Sequence, residues 1–158
     1  MLSEAARAQL SQTLGDRLSL SKSDLALHGR SETHFPTLPP DAVAYPETAE
    51  EVSAIMRICS AHGVPVIGWG TGTGLEGHTS AVRGGVSVDF SRMNKVLDIH
   101  SDDMDVVIQP GVTREQLNEE LRATGLFFPV DPGANASLGG MASTRASDLQ
   151  HDETGTPK

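Results

Sequence analysis

The glycine-rich stretch GWGTGTGLEGHTS, from Gly68 to Ser80, is the feature that most restricts how this chain can fold. It holds five glycines in thirteen residues and directly follows the apolar run Val64-Pro65-Val66-Ile67. Glycine adopts positive φ angles without strain and lets the backbone approach another group closely. The sequence therefore predicts a buried strand over residues 64–67 that leads into a loop whose backbone lies close to something else.

Two phosphate-binding motifs nearly match this stretch, and the residues that follow Gly77 argue against both. Residues 72–77 read G-x-G-x-x-G, but a dinucleotide-binding turn opens a helix, whereas here Gly84-Gly85 and a strand follow. A P-loop spacing is also present, but His78 stands in the lysine position. The remaining interpretation is a strand-to-strand loop whose amides form an anion-binding nest. A tight turn without a ligand is the alternative, although it needs only about one or two glycines.

The sequence before the loop predicts a strand–helix–strand unit. Thr48 is a suitable N-cap, and Glu51 three residues later completes a capping box. The helix that begins there has an apolar stripe formed by Val52, Ile55, Met56 and Cys59. Short apolar runs at 43–45 and 64–67 flank this helix, so the two runs are expected on neighbouring parallel strands.

The sequence after the loop predicts short strands followed by a second helix. Apolar residues alternate with polar ones at Val86, Val88 and Phe90. Further strands are expected at 96–99 and 106–109. A helix then begins at Thr113, with Gln116 as its capping-box partner, and Gly125 ends it.

A second glycine-rich stretch, DPGANASLGGMASTRAS, covers residues 131–147. It contains Pro132-Gly133 and Gly139-Gly140 among small residues. One glycine loop can be a turn. Two long segments with small side chains, separated by a sheet, suggest two walls around one large flat ligand.

Composition restricts the nature of that ligand. The chain has 12 Lys and Arg against 21 Asp and Glu, a formal net charge of −9. A nucleic-acid or anionic-membrane surface is therefore disfavoured, and a bound anion must be held by local backbone donors. No apolar run approaches the roughly 20 residues of a membrane helix, and the N-terminus lacks a signal core, so a cytoplasmic protein is expected. The single cysteine, Cys59, excludes an internal disulfide and a thiolate metal cluster.

Five blocks of sequence, in order, resemble one family. They are His28-Gly29-Arg30, Asp41-Ala42-Val43, GTGTGLEGH (70–78), QPGVTREQLN (109–118) and FPVDPGANASLGGMASTRAS (128–147). Over about residues 25–147 the chain resembles the FAD-binding PCMH-type domain of the vanillyl-alcohol oxidase / p-cresol methylhydroxylase superfamily. Within it, the chain is most similar to the branch of FAD-linked D-lactate dehydrogenase (cytochrome) and glycolate oxidase.

The resemblance implies an α/β (α+β) fold in which a small parallel α/β subdomain precedes an incomplete, mixed or antiparallel α+β subdomain, with FAD between them. We expect an N-terminal helical segment at 1–24 and the FAD-binding domain, truncated, at 25–147. Residues 148–158 carry one large apolar side chain, Leu149, and are expected to be a disordered polar tail.

By resemblance, the first glycine loop wraps the FAD pyrophosphate with backbone N–H groups. The residues implied there are Gly70, Thr71, Gly72, Thr73, Gly74, Leu75, Gly77 and His78. The residues implied on the other wall, near the isoalloxazine and the phosphates, are Pro132, Gly133, Ser137, Gly139, Gly140, Ala142 and Ser147.

Several polar residues near these stretches have more than one interpretation. His78 is a hydrogen-bond partner of the ribityl or phosphate region, a covalent flavin attachment as in some members of the superfamily, or a surface residue. Glu76 is expected to point away from the pyrophosphate, and Asp131 to form an Asx-turn rather than act as a base. His28 and His34, placed in a connector, are expected to be structural or surface residues and not metal ligands.

The function that the resemblance implies is oxidation of a D-2-hydroxy acid, D-lactate, to the 2-oxo acid by hydride transfer to FAD. Glycolate and D-2-hydroxyglutarate are alternative substrates. The family's substrate arginine and acid–base histidine lie in a later region, so no catalytic residue is expected in this chain. The alternative is a truncated, non-catalytic remnant that binds FAD weakly or not at all.

Overall fold

The computed structural model describes residues 2–31 and 33–146, which divide into two units between Met93 and Asn94. The first unit contains α1 (Glu4–Leu14), β1 (Leu18–Ser19), α2 (Lys22–His28), β2 (Ala42–Ala44), α3 (Ala49–Ala61), β3 (Val66–Trp69) and β4 (Val86–Asp89). The second contains β5 (Val96–His100), β6 (Asp105–Ile108), α4 (Arg114–Leu121) and α5 (Leu138–Thr144). No helix within these described ranges is long and apolar enough to cross a bilayer.

The strands of the first unit form one mixed sheet in the order β1-β2-β4-β3. Both β2 and β3 pair in parallel with β4, and β1 pairs antiparallel with β2. The prediction that the strands flanking α3 are neighbours is therefore wrong, because β4 lies between them. All of β4 is buried, including Ser87 and Asp89 at the alternate polar positions. A strand buried on both faces belongs inside a covered sheet, which explains its place between β2 and β3.

Helices α1 and α3 pack on one face of this sheet. The buried cluster includes Ala6, Leu10 and Leu14 of α1, Ile55 and Cys59 of α3, and Ala42, Ala44, Val86 and Val88 of the strands. Cys59 is confirmed as a small core residue, and burial raises the pKa of its thiol. Helix α2 spans the predicted boundary after residue 24, and the three-part division of the chain stays a prediction.

The start of α3 is fixed by its cap and by an ion pair. The Thr48 hydroxyl accepts a hydrogen bond from the Glu51 N–H at 3.2 Å, as the capping motif predicts. Both oxygens of the Glu51 carboxylate accept hydrogen bonds from the Arg17 guanidinium. The Arg17 hydrogen bonds are the largest cause of a Glu51 pKa lowered to about 2.

The apolar stripe of α3 differs from the predicted one at one position. Met56 is 49% exposed, whereas Ile58 packs against the core. Each helical residue turns by about 100°, so Met56 lies that far around the axis from the fully buried Ile55. Ile58 and Cys59 lie closer to the direction of Ile55, and the buried face is centred there.

The second unit combines an antiparallel hairpin, β5–β6, with α4 and α5. Its core comprises Val112, Leu117, Leu121, Leu138 and Met141. Thr113 caps α4 by accepting from the Gln116 N–H at 3.3 Å, and Gly125 adopts a φ of 77° just beyond the helical segment. The combination of helices with parallel and antiparallel strands confirms the predicted α/β (α+β) class. The predicted polar tail at 148–158 lies outside the described residues.

Candidate functional site

The first glycine stretch forms a loop, residues 70–80, within the connection between β3 and β4. We call it the glycine loop. Gly72 and Gly77 have φ angles of 72° and 73°, in the left-handed region that favours glycine. A Cβ on Gly72 would collide with the Trp69 indole, and a Cβ on Gly77 would lie 3.0 Å from the Phe35 ring. The expected close approach of the backbone is therefore present, and the groups approached include two aromatic side chains of the same unit.

The backbone amides of residues 71–77 in the glycine loop lack hydrogen-bond acceptors within the part of the chain that the structure describes. Thr71, Thr73 and Leu75 are exposed, and the two threonine hydroxyls lie 3.3 Å apart. No lysine or arginine occurs from Gly68 to Ser80. The loop can therefore bind an anion through amides and hydroxyls, without a fixed positive charge of its own.

A connector that sequence reasoning left without a function supports this loop. The Leu38 N–H donates to the Gly29 carbonyl at 3.0 Å, and the Leu38 carbonyl accepts from the Ala81 N–H at 3.2 Å. Asp41 accepts a hydrogen bond from the Gly85 N–H at 2.9 Å. The blocks at residues 28–30 and 41–43 were recognisable in the sequence, but the hydrogen bonds that link the connector to the segment after the loop were not.

His28 packs against Trp69, the residue before the glycine loop, rather than lying in the connector where it was predicted. It is the last residue of α2 and is 1% exposed. Its ring lies 4.6 Å from the Trp69 ring, between centroids, and 2.8 Å separates its Nε2 from Asp89 Oδ2. No group of His, Cys, Asp or Glu side chains in the described ranges is arranged to bind a metal ion.

His78 lies on the outside of the loop. Its side chain is exposed, and its imidazole lies where a Cβ on Gly74 would be placed. Glu76 is exposed beside it. This position is open to a ligand and to solvent, so the three interpretations of His78 stay predictions.

The second glycine stretch is ordered largely by contacts within its own unit. Gly133 has a φ of 82° and donates its N–H to Asp131 Oδ1 at 2.9 Å, which confirms the predicted Asx-turn. Gly139 donates its N–H to the Pro110 carbonyl at 2.9 Å, and a Cβ on it would lie 2.6 Å from the Pro110 Cβ. Gly139 is therefore required by packing against Pro110, whether or not a ligand lies nearby.

The structure groups the predicted site residues within each stretch. Residues 70–78 share the glycine loop, whereas Pro132, Gly133, Ser137, Gly139, Gly140 and Ala142 belong to the second unit. Ser137 is 2% exposed and precedes α5, and Ala142 lines an apolar cavity of about 330 Å³ together with Phe128 and Met141. Ser147 lies outside the described residues.

The sequence of this chain matches a known protein family and several named proteins. A family model described as "FAD binding domain" matches residues 40–157. A protein of Danio rerio named "Probable D-lactate dehydrogenase, mitochondrial" is 52% identical over 129 residues, which are 82% of this chain and 26% of that protein. The chain spans about a quarter of the length of the curated relatives it matches.

Two solved structures share the fold. Alkyldihydroxyacetonephosphate synthase matches with a TM-score of 0.86 at 27% identity, over 98% of this chain and 34% of that one. Substrate-bound p-cresol methylhydroxylase matches with a TM-score of 0.69 at 24% identity, over 80% of this chain and 25% of that one. These likenesses confirm the fold that the sequence blocks predict.

Proposed function

Because this chain belongs to the family of FAD binding domains, we propose that its glycine loop binds the pyrophosphate of FAD through backbone N–H groups. The observation that carries the proposal is the run of amides at residues 71–77 that have no acceptor in the described protein. Gly72 and Gly77 adopt left-handed backbone conformations that turn the loop. The Thr71 and Thr73 hydroxyls add hydrogen-bond donors.

The residues present fit such a ligand. A protein of net charge −9 that binds a dianionic group needs local donors, and this loop offers amides and hydroxyls without an acidic group other than the exposed Glu76. In this proposal the other cofactor-binding residues are Gly70, Gly74, Leu75, Gly77 and His78, with Pro132, Gly133, Ser137, Gly139, Gly140, Ala142 and Ser147 of the second stretch. Bound FAD would supply the hydride acceptor, and the residues of this chain would bind and orient it.

Titration of the purified chain with FAD, followed by flavin fluorescence or by heat of binding, tests the cofactor. We expect saturable binding with a Kd of about micromolar magnitude. Riboflavin, which lacks the pyrophosphate, is expected to bind at least about tenfold more weakly because it leaves the loop amides unpaired. Acid precipitation of the loaded protein is expected to release the flavin into the supernatant.

Equal affinities for FAD and riboflavin would contradict the placement of the pyrophosphate at the loop. Absence of FAD binding at micromolar cofactor would contradict the proposal as a whole and favour the non-catalytic remnant. Flavin retained in the acid precipitate would instead favour a covalent link, for which His78 is the candidate.

The activity that we propose for the enzyme containing this domain is FAD-dependent oxidation of a D-2-hydroxy acid, with D-lactate as the substrate. It is supported by the identity of 52% to a protein named as a probable D-lactate dehydrogenase. No catalytic residue is assigned in this chain, and its proposed contribution is the binding and orientation of the cofactor.

Anaerobic addition of D-lactate, glycolate or D-2-hydroxyglutarate to the FAD-loaded full-length enzyme that contains this domain tests the substrate. D-Lactate is expected to bleach the flavin absorbance fastest, and L-lactate serves as the stereochemical control. Equal or absent bleaching with all of these acids contradicts the assignment to D-lactate, and it leaves FAD binding, measured separately, unaffected.

A further inference from the structure

A buried histidine–carboxylate pair joins the end of α2 to the end of β4, beside Trp69. The His28 Nε2 lies 2.8 Å from Asp89 Oδ2, and its Nδ1 lies 2.8 Å from the Asp24 carbonyl oxygen. The second Asp89 oxygen accepts the Ser91 N–H at 2.7 Å. A carbonyl oxygen only accepts, and so does an ionised carboxylate, so both ring nitrogens must carry protons to satisfy both contacts. The geometry therefore favours an imidazolium paired with an ionised carboxylate.

Trp69 connects this pair to the loop. The register of β3 and β4 places Trp69 opposite Asp89, and the His28 ring lies 4.6 Å from the Trp69 ring at an interplanar angle of 48°. Trp69 is 7% exposed. A Cβ on Gly72 would lie 2.9 Å from Cη2 of the same indole. The indole thus contacts His28 and also lies directly against the backbone of the glycine loop.

From this arrangement we propose that His28 is a positioning residue for the cofactor. Paired with Asp89, it holds Trp69 against Gly72 and thereby keeps the glycine loop in the shape that presents its amides to the pyrophosphate. His28 itself is buried and donates to protein acceptors, so it acts through Trp69 rather than by touching FAD. The inference rests on the proposed FAD-binding function of the loop.

The charge state of His28 makes this arrangement depend on pH. The titratable or charged groups around it are Asp24 on its own helix, Asp89 on β4, Tyr45 with its ring centroid 6.0 Å away, and Arg92, which lies over the Tyr45 ring. Burial lowers the pKa of His28. The hydrogen bonds to Asp89 and Asp24 raise it, together with the charges of these residues, and the net shift of the pKa is upward.

The sign of the effect follows from that upward shift. A group whose pKa is raised by folding contributes its full stabilisation below its unfolded pKa of about 6.5 and loses it as pH rises through the folded value. Deprotonation removes one of the two ring protons, so one of the two contacts is lost. The support of Trp69, and with it FAD affinity, is expected to weaken above that pH.

Trp69 is the single tryptophan of the chain, so its fluorescence reports on this cluster. In the cofactor-free protein we expect Trp69 emission to rise as pH increases, with a midpoint above the ordinary histidine value of about 6.5, as the quenching imidazolium loses its proton. His28→Gln is expected to abolish this transition. His100→Gln is the matched control, because His100 is also paired with carboxylates and has a raised pKa, but it is exposed on β5.

FAD titrations of the same proteins test the positioning role. The affinity of the unsubstituted protein is expected to fall as pH rises through the Trp69 transition, and His28→Gln is expected to bind FAD about tenfold more weakly at pH 6 and without that pH dependence. His100→Gln is expected to keep both the affinity and its pH profile. Circular dichroism checks that each variant is folded.

Different results would contradict the positioning role of His28 and the binding of FAD by the loop. A Trp69 transition that His28→Gln removes, combined with FAD affinity that neither pH nor the substitution changes, overturns the positioning role while FAD binding stands. Failure of the unsubstituted protein to bind FAD at any pH overturns the proposed function and this inference with it. If His28→Gln does not fold, Asp89→Asn replaces it, and a Trp69 midpoint that Asp89→Asn does not lower contradicts the pair.

Discussion

Replacement of Gly72 by alanine is expected to lower the affinity of the protein for FAD by about tenfold to a hundredfold. The φ angle of 72° at this residue costs an alanine about 1–2 kcal/mol. The added Cβ also collides with the Trp69 indole, so either the ring or the loop must move. Each 1.4 kcal/mol of lost binding free energy corresponds to about tenfold in Kd, and the two effects act on the same loop.

Gly68→Ala is the matched control for this substitution. Gly68 is an exposed residue of β3 just before the loop, its φ is not positive, and a Cβ on it meets no atom within 4 Å. Fluorescence titration with FAD is expected to give an affinity for Gly68→Ala close to that of the unsubstituted protein. Equal affinities for the two variants would show that the shape of the loop at Gly72 has no influence on the cofactor.

Replacement of Leu10 by alanine is expected to lower the free energy of unfolding by about 2–5 kcal/mol. Leu10 is fully buried, and its truncation would leave a cavity between α1, α3 and the sheet. Urea unfolding, followed by circular dichroism, gives this difference directly. This loss of stability matters for function because the same sheet carries both ends of the connection that contains the glycine loop.

Leu27→Ala provides the control for the same chemical change at an exposed site. Leu27 lies on α2 and is 59% exposed, so its loss is expected to change the free energy of unfolding by less than about 0.5 kcal/mol. A loss for Leu10→Ala as small as that for Leu27→Ala would contradict the packing of α1 into the core of the first unit.

The sequence predicted well those features that depend on neighbouring residues. The caps at Thr48 and Thr113 and the turn at Asp131 each depend on residues within a few positions, and the structure confirms them. The strand-to-strand course of the glycine loop was also predictable, because too few residues separate Gly77 from the next strand for a helix to form. The bounds of β2 and β3 were predicted only to within one or two residues.

Features that depend on distant residues were not predictable in the same way. The contact between His28 and Asp89 joins residues 61 positions apart, and no local pattern marks it. The alternation in β4 indicated a strand but not its place in the sheet. The sequence also does not reveal why a given position requires glycine. Gly72 is required by packing against Trp69, and Gly139 by packing against Pro110.

The place of β4 between β2 and β3 has a consequence for biosynthesis. Ribosomes complete β2 and β3 before β4, so the nascent chain holds two strands that have no parallel partner until the third arrives. Both ends of the connection that contains the glycine loop become fixed only when β4 enters that gap. Until then, the edges of β2 and β3 that pair with β4 in the finished sheet have no partner, and unpaired strand edges favour association with other chains.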